Sequence, residues 1–200
     1  MRAASLGAKM KKTTTVVTLV FLAVIIGIVG LYAYFSGKAR DAADPASTAV
    51  QKALDRDLQN DYPPTVKEVV KYYTELQKCL YNEEYSEEEF EQMGNKSRQL
   101  YDRELLEAND ETFQLVQLRQ EIEAFRIQKC VITSISVAAS TNVSYFEEDG
   151  YSFARILCKY TIRENGSPKL SQTIYLLRQD ENRHWRIYGW EQAENVDNAG

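Results

Sequence analysis

The chain is 200 residues long and acidic, with 29 Asp and Glu against 24 Lys and Arg, three cysteines and a single histidine. All six basic residues of positions 1–40 stand without an acidic neighbour there, so positions 41–200 hold 18 basic against 29 acidic residues and offer no basic face to nucleic acid. Cys79, Cys130 and Cys158 have no CxxC spacing and one histidine adds no HxxxH, which excludes the usual zinc sites; neither metal nor cofactor is expected.

In chain order, residues 1–15 form a basic tail carrying Arg2, Lys9, Lys11 and Lys12. Val16 to Phe35 follows without a charge or a proline, and at about 1.5 Å per residue a helix of that length matches the roughly 30 Å hydrocarbon core of a bilayer. The run is longer than the roughly 7–15 apolar residues of a signal peptide, and Gly37-Lys38-Ala39 is a weak cleavage pattern. It is therefore expected to be an uncleaved single-pass membrane anchor. The positive residues precede it, which places the N-terminus in the cytoplasm and the C-terminal domain outside the cell. Ala23, Gly27 and Gly30 recur at i, i+4 and i+7, a small-residue face on which a second membrane helix could pack closely, although such residues are common in membrane helices generally.

Residues 36–62 read as a stalk. Within it, Val50, Leu54 and Leu58 repeat every four residues behind Ser47 and Thr48, a short capped helix that Asn60-Asp61-Tyr62-Pro63-Pro64 stops. An α+β domain is expected over residues 63–192, with 193–200 as a disordered tail. Thr65-Val66-Lys67-Glu68 is a capping box, and Val66, Val69, Val70, Tyr73, Leu76 and Leu80 follow at helical spacing to about Asn82. Ser86-Glu87-Glu88-Glu89 opens a second helix with Phe90, Met93, Ser97, Leu100 and Tyr101 on one face and Gly94-Asn95 weakening its middle. Its glutamates suit the positive end of a helix dipole and lack the alternating ligands of a calcium loop. A third helix spans about Glu111 to Arg126 on Phe113, Val116, Leu118, Ile122 and Phe125.

From Lys129 the period falls to two and β-branched residues dominate. Ser140-Thr141-Asn142 interrupts the first strand as a bulge, and Asp149-Gly150 and Asn165-Gly166 have the chemistry of primed hairpin turns. Along Tyr151 to Arg163, Ala154, Ile156, Cys158, Tyr160 and Ile162 share a buried face, opposite Arg155, Lys159 and Arg163. Asp180-Glu181-Asn182 leads into a last strand, His184 to Trp190. Alternation puts His184 with Arg186, Tyr188 and Trp190, opposite Trp185 and Ile187, where His184 reads as a solvated residue at a strand start. The expected domain is three helices packed on a curved four-strand antiparallel sheet.

This order of elements and the closing strand His184-Trp185-Arg186-Ile187-Tyr188-Gly189-Trp190 resemble a nuclear transport factor 2-like (SnoaL-like) cone. Tyr62-Pro63-Pro64-Thr65-Val66-Lys67-Glu68-Val69-Val70-Lys71-Tyr72-Tyr73 and Cys79-Leu80-Tyr81-Asn82-Glu83-Glu84-Tyr85 more narrowly resemble an uncharacterised family of membrane-anchored proteins of anaerobic Firmicutes, over about residues 47–192. That resemblance implies a pocket between sheet and helices and brings no chemistry with it.

Two function classes follow. The first is a non-catalytic binding or protein-interaction module on the outer face of the membrane, as a homodimer or as a subunit of an envelope or secretion assembly. The second is a small-molecule enzyme using the cone's pocket, which would need inward acid–base groups that this sequence scarcely has. Tyr160, Tyr175, Trp185 and Trp190 are the aromatic residues expected in a core, a pocket or an interface. Tyr151, Phe153 and Leu157 form an outward row on the central strand that a second copy would cover.

Overall fold

A computed structural model describes residues 48–193. Among these no helix is long and apolar enough to cross a membrane. The stretch Val16–Phe35, with Ala23, Gly27 and Gly30, lies outside the described residues.

The unit begins earlier than its sequence suggests. Helix α1 (Ala49–Leu54) is capped reciprocally by Thr48 and Gln51, and Val50, Ala53 and Leu58 are buried in the core. The Tyr72 hydroxyl donates to the Ala53 carbonyl at 2.6 Å. Residues 48–62, read above as stalk, thus pack on the domain rather than lead up to it. Helix α2 (Val66–Asn82) buries the expected Val66, Val69, Val70, Tyr73, Leu76 and Leu80. Its Thr65 cap accepts from the Glu68 N–H, while the Glu68 carboxylate meets the Thr65 hydroxyl instead of the Thr65 N–H of a full capping box.

Helix α3 (Glu87–Arg98) has both bonds of its Ser86/Glu89 capping box, three glutamates in the first turn and Lys96 and Arg98 in the last, so charge and dipole agree at each end. Gly94 does not merely weaken this helix. A Cβ there would lie 2.4 Å from Leu115 Cδ2, so the glycine leaves room for the end of that leucine side chain, which any larger residue would have to push aside. Gln99 and Leu100 form a turn past the helix and Tyr101 pairs with the sheet. There follows a short helix α4 (Arg103–Glu107) capped by Asp102, which has too few residues to show a period. Helix α5 (Glu111–Ile127) is capped by Asp110. The face expected for α5 is only partly the buried one. Phe113 is 60% and Val116 49% exposed, whereas Leu115, Leu118 and Ile122 pack inward and Phe125 meets the Tyr81 ring edge-on at 4.9 Å.

The sheet is antiparallel and has five strands: β1 (Cys130–Val137), β2 (Ser144–Glu148), β3 (Tyr151–Glu164), β4 (Ser167–Gln179) and β5 (Trp185–Gln192). The expected first strand divides in two. A 3₁₀ turn at Ser140–Asn142 replaces the expected bulge, so β1 pairs with Cys158–Glu164 and β2 with Tyr151–Arg155 along one edge of β3. The remaining order is β3–β4–β5. Both hairpin turns have left-handed φ at both central residues, 51° and 81° at Asp149-Gly150 and 48° and 88° at Asn165-Gly166, as primed turns require.

Two features close the edges. The Asn82 amide at the end of α2 donates to the Ile132 carbonyl at 2.8 Å and accepts from the Ile132 N–H at 3.0 Å, replacing a neighbouring strand beside β1. Beside β5, Tyr101 forms a parallel bridge with Ile187; the Ile187 N–H donates to Leu100 and the Asp102 N–H to Ile187, each at 2.8 Å.

The inner face of the sheet presents Ala154, Ile156, Cys158, Tyr175, Leu177 and Ile187 to α2 and α3 in one core. The outer face is not bare as the sequence suggests. Phe153 is 8% exposed, stacked on its cross-strand partner Phe146 at 5.5 Å and met edge-on by Tyr188 at 5.5 Å. Side chains of the same sheet cover it, which periodicity within one strand does not reveal. What that face leaves accessible is Leu157 and its partner Ile174, both half-buried, beside the half-exposed Tyr151.

Candidate functional site

A cavity of about 220 Å³ lies between α2, α3, α5 and the end of β5. Its aromatic wall is built by three separate elements. Tyr73 comes from α2, Tyr101 from the segment after α3 and Trp190 from β5, with ring centroids 5.9–6.1 Å apart. Tyr73 and Tyr101 are buried, and their hydroxyls meet at 3.2 Å. Trp190 is 47% exposed at the mouth.

Trp190 reaches this wall because β5 carries one extra residue opposite the Leu176/Leu177 step of β4. Leu177 pairs with Ile187 and Tyr175 with Trp190, so Ile187 and Trp190 share the inner face although three positions separate them. Simple alternation had put Trp190 with His184. The bulge re-aims it, as bulges beside sites commonly do.

Behind the wall, Tyr175 lies 5.7 Å from Tyr73 and 6.4 Å from Trp190, and its hydroxyl meets that of Tyr160 at 2.6 Å. Burial pushes the phenols of Tyr73, Tyr160 and Tyr175 up; neighbouring phenols add to this at Tyr73 and Tyr160, whereas at Tyr175 the hydrogen bond from Tyr160 works against it. Burial also raises Tyr101, against hydrogen bonds from Tyr73 and Gln114 that lower it. These groups stay protonated at neutral pH and act as neutral hydrogen-bonding hydroxyls.

The polar side of the cavity comes mostly from helix side chains. Gln114, Gln117 and Glu121 stand at i, i+3 and i+7 on α5, with Gln77 on α2 and Arg98 on α3. Arg98 Nη1 donates to the Asn109 carbonyl at 3.2 Å and to the Gln114 side-chain oxygen. Glu121 accepts from the Tyr81 hydroxyl at 3.3 Å. One cation and one carboxylate are thus present, each already engaged.

A second polar cluster lies on the outer face at the β5 edge. Arg178 holds Asp102 through Nε at 2.9 Å and Nη2 at 2.5 Å, and Glu104 through Nη1 at 2.7 Å. The Tyr188 hydroxyl donates to Glu104 at 2.9 Å, and the guanidinium lies 4.7 Å and 4.9 Å from the Tyr151 and Tyr188 ring centres. Its charge is spent on fixing α4 to the sheet. Nearby, Arg186 donates to Asp180 at 2.8 Å and to the Gln99 carbonyl at 2.6 Å. His184 is half-buried, stacked on Tyr62 at 4.5 Å, rather than fully solvated.

Of the aromatic residues singled out by sequence, Trp190 lines the cavity and Tyr160 and Tyr175 back it. Trp185 lies elsewhere, 5.7 Å from the Tyr145 ring, with its carbonyl accepting from the Tyr62 hydroxyl at 2.9 Å. In the sequence Tyr73 and Tyr101 show only as members of apolar helix faces, and nothing there singles out Arg98, Gln77, Gln114, Gln117 or Glu121. The polar row on α5 is readable at helical spacing, but nothing local says that it faces inward. Among the described residues no group of three potential metal ligands converges.

The family described as "Domain of unknown function (DUF6715)" matches residues 7–190. No curated protein matches the chain.

Proposed function

This chain belongs to the DUF6715 family, and from that premise we propose that it is a membrane-anchored, extracytoplasmic and non-catalytic binding module whose site is the cavity walled by Tyr73, Tyr101 and Trp190. The observation that carries this reading is the make-up of that cavity. Its hydroxyls are neutral phenols, its amides do not titrate, and its Arg98 and Glu121 are each tied to a neighbour, so it is furnished for recognition and poorly furnished for proton transfer. The anchor rests on the uncharged run Val16–Phe35 and the basic residues before it, a stretch that falls within the family match. The order of helices followed by an antiparallel sheet of five strands favours a nuclear transport factor 2-like cone. A module held at the membrane surface in this way suits a subunit of an envelope assembly.

The test uses the full chain in detergent with Trp185→Phe, which leaves Trp190 as the only indole. A library of small fragments should contain members that shift Trp190 emission saturably without being chemically changed. A library that leaves Trp190 unmoved overturns the binding reading, and turnover of a bound fragment overturns its non-catalytic part.

A further inference from the structure

We propose that the cavity takes an uncharged, polyhydroxylated ring, a monosaccharide or the terminal sugar of a glycan. This rests on the reading of the cavity as a binding site. Size gives the first constraint. About 220 Å³ is below the roughly 300–1,000 Å³ of pockets for drug-sized ligands, which leaves room for one ring with its substituents.

Shape and polarity give the second. Trp190 offers an exposed aromatic face at the mouth, and the slightly positive C–H face of a saturated ring stacks on the negative π face of an indole. Gln77, Gln114 and Gln117 line the same space. Each amide offers both a carbonyl acceptor and an NH₂ donor, which matches a sugar hydroxyl, itself donor and acceptor. Tyr73 and Tyr101 add protonated hydroxyls.

Charge decides against the alternatives. An anion would meet the Arg98 guanidinium, which hydrogen-bonds the neutral Asn109 carbonyl and Gln114, but also the Glu121 carboxylate in the same cavity. An organic cation needs an open aromatic cage, but the rings of Tyr73 and Tyr101 are buried against each other and against Trp190, and Arg98 shares the cavity. A ligand of either sign would thus meet a like charge inside the cavity. A neutral polyol would not.

The experiment titrates the full-length Trp185→Phe chain in detergent with glucose, galactose, N-acetylglucosamine and a chitooligosaccharide, and in parallel with tetramethylammonium, glycine and inorganic phosphate. At least one sugar should shift Trp190 emission saturably. A response to the oligosaccharide alone assigns the site to a glycan end; a response to a monosaccharide assigns it to a free sugar. Gln117→Leu, at an exposed position, should keep the fold and weaken binding about tenfold. Saturation-transfer NMR on Trp190→Ala should lose the sugar signal. If fragments shift Trp190 and no sugar does, the sugar proposal falls and the binding module stands. If neither does, both fall. Saturation by the cation, glycine or phosphate instead of a sugar, or sugar binding undiminished in both variants, also overturns the proposal.

Discussion

Glu104 is a single exposed carboxylate that ties the short helix α4 to the sheet, and its titration reports on that tie. Hydrogen bonds from Arg178 and then Tyr188 hold its carboxyl below the usual range. Asp180 is also lowered: burial raises it, but the Arg186 hydrogen bond and the His184 N–H outweigh that. Because both values are lower in the folded chain than in the unfolded one, the stability they contribute is complete above the unfolded carboxylate value near about pH 4. It drains away as the pH falls through the lower folded values. Melting temperature should therefore be flat from neutral pH to about pH 5 and fall below about pH 4. Glu104→Gln should make that acid fall shallower in a calorimetric pH series. An unchanged slope would mean that Glu104 is not tied in the folded state.

Asn82 shows how one element depends on another far away in sequence. Its amide makes two hydrogen bonds to Ile132, each contributing about 1 kcal/mol. Asn82→Ala should thus lower the unfolding free energy by about 2 kcal/mol, read as a shift in urea midpoint with an unchanged slope. It should also open the β1 edge to self-association at high concentration; a midpoint within error of the parent would rule out this role. Asn82 was not legible as an edge residue, since its partner lies fifty positions on. The caps at Ser86 and, as one of two neighbouring candidates, Thr48 were legible, as were the two Asx-Gly turns, because the residues that decide them lie within a few positions of one another. The α5 face was not. Its apolar residues stand on both sides, and only contact with α2 and the sheet separates Leu115 and Leu118 from Phe113 and Val116. The site suffered most, for Trp190 turns inward by a bulge whose cause is the register of β4, and Tyr73 and Tyr101 join it only in three dimensions.

For the whole molecule, the positive residues before Val16 predict that the domain stands outside the cell. Protease added to intact protoplasts should remove the C-terminal domain, as followed with an antibody against it, and full protection would place it inside. Assembly of this molecule also has an order in time. The rung that joins Tyr101 to Ile187 links residues 86 positions apart, which at about 5–20 residues per second takes roughly 4–17 s of synthesis. Until β5 emerges, the nascent chain has Leu100 and Tyr101 without the strand that pairs beside them, and Tyr73 without Trp190. A chain cut short before Ile187 should therefore keep that apolar slot open and bind an apolar-surface dye that the full chain does not.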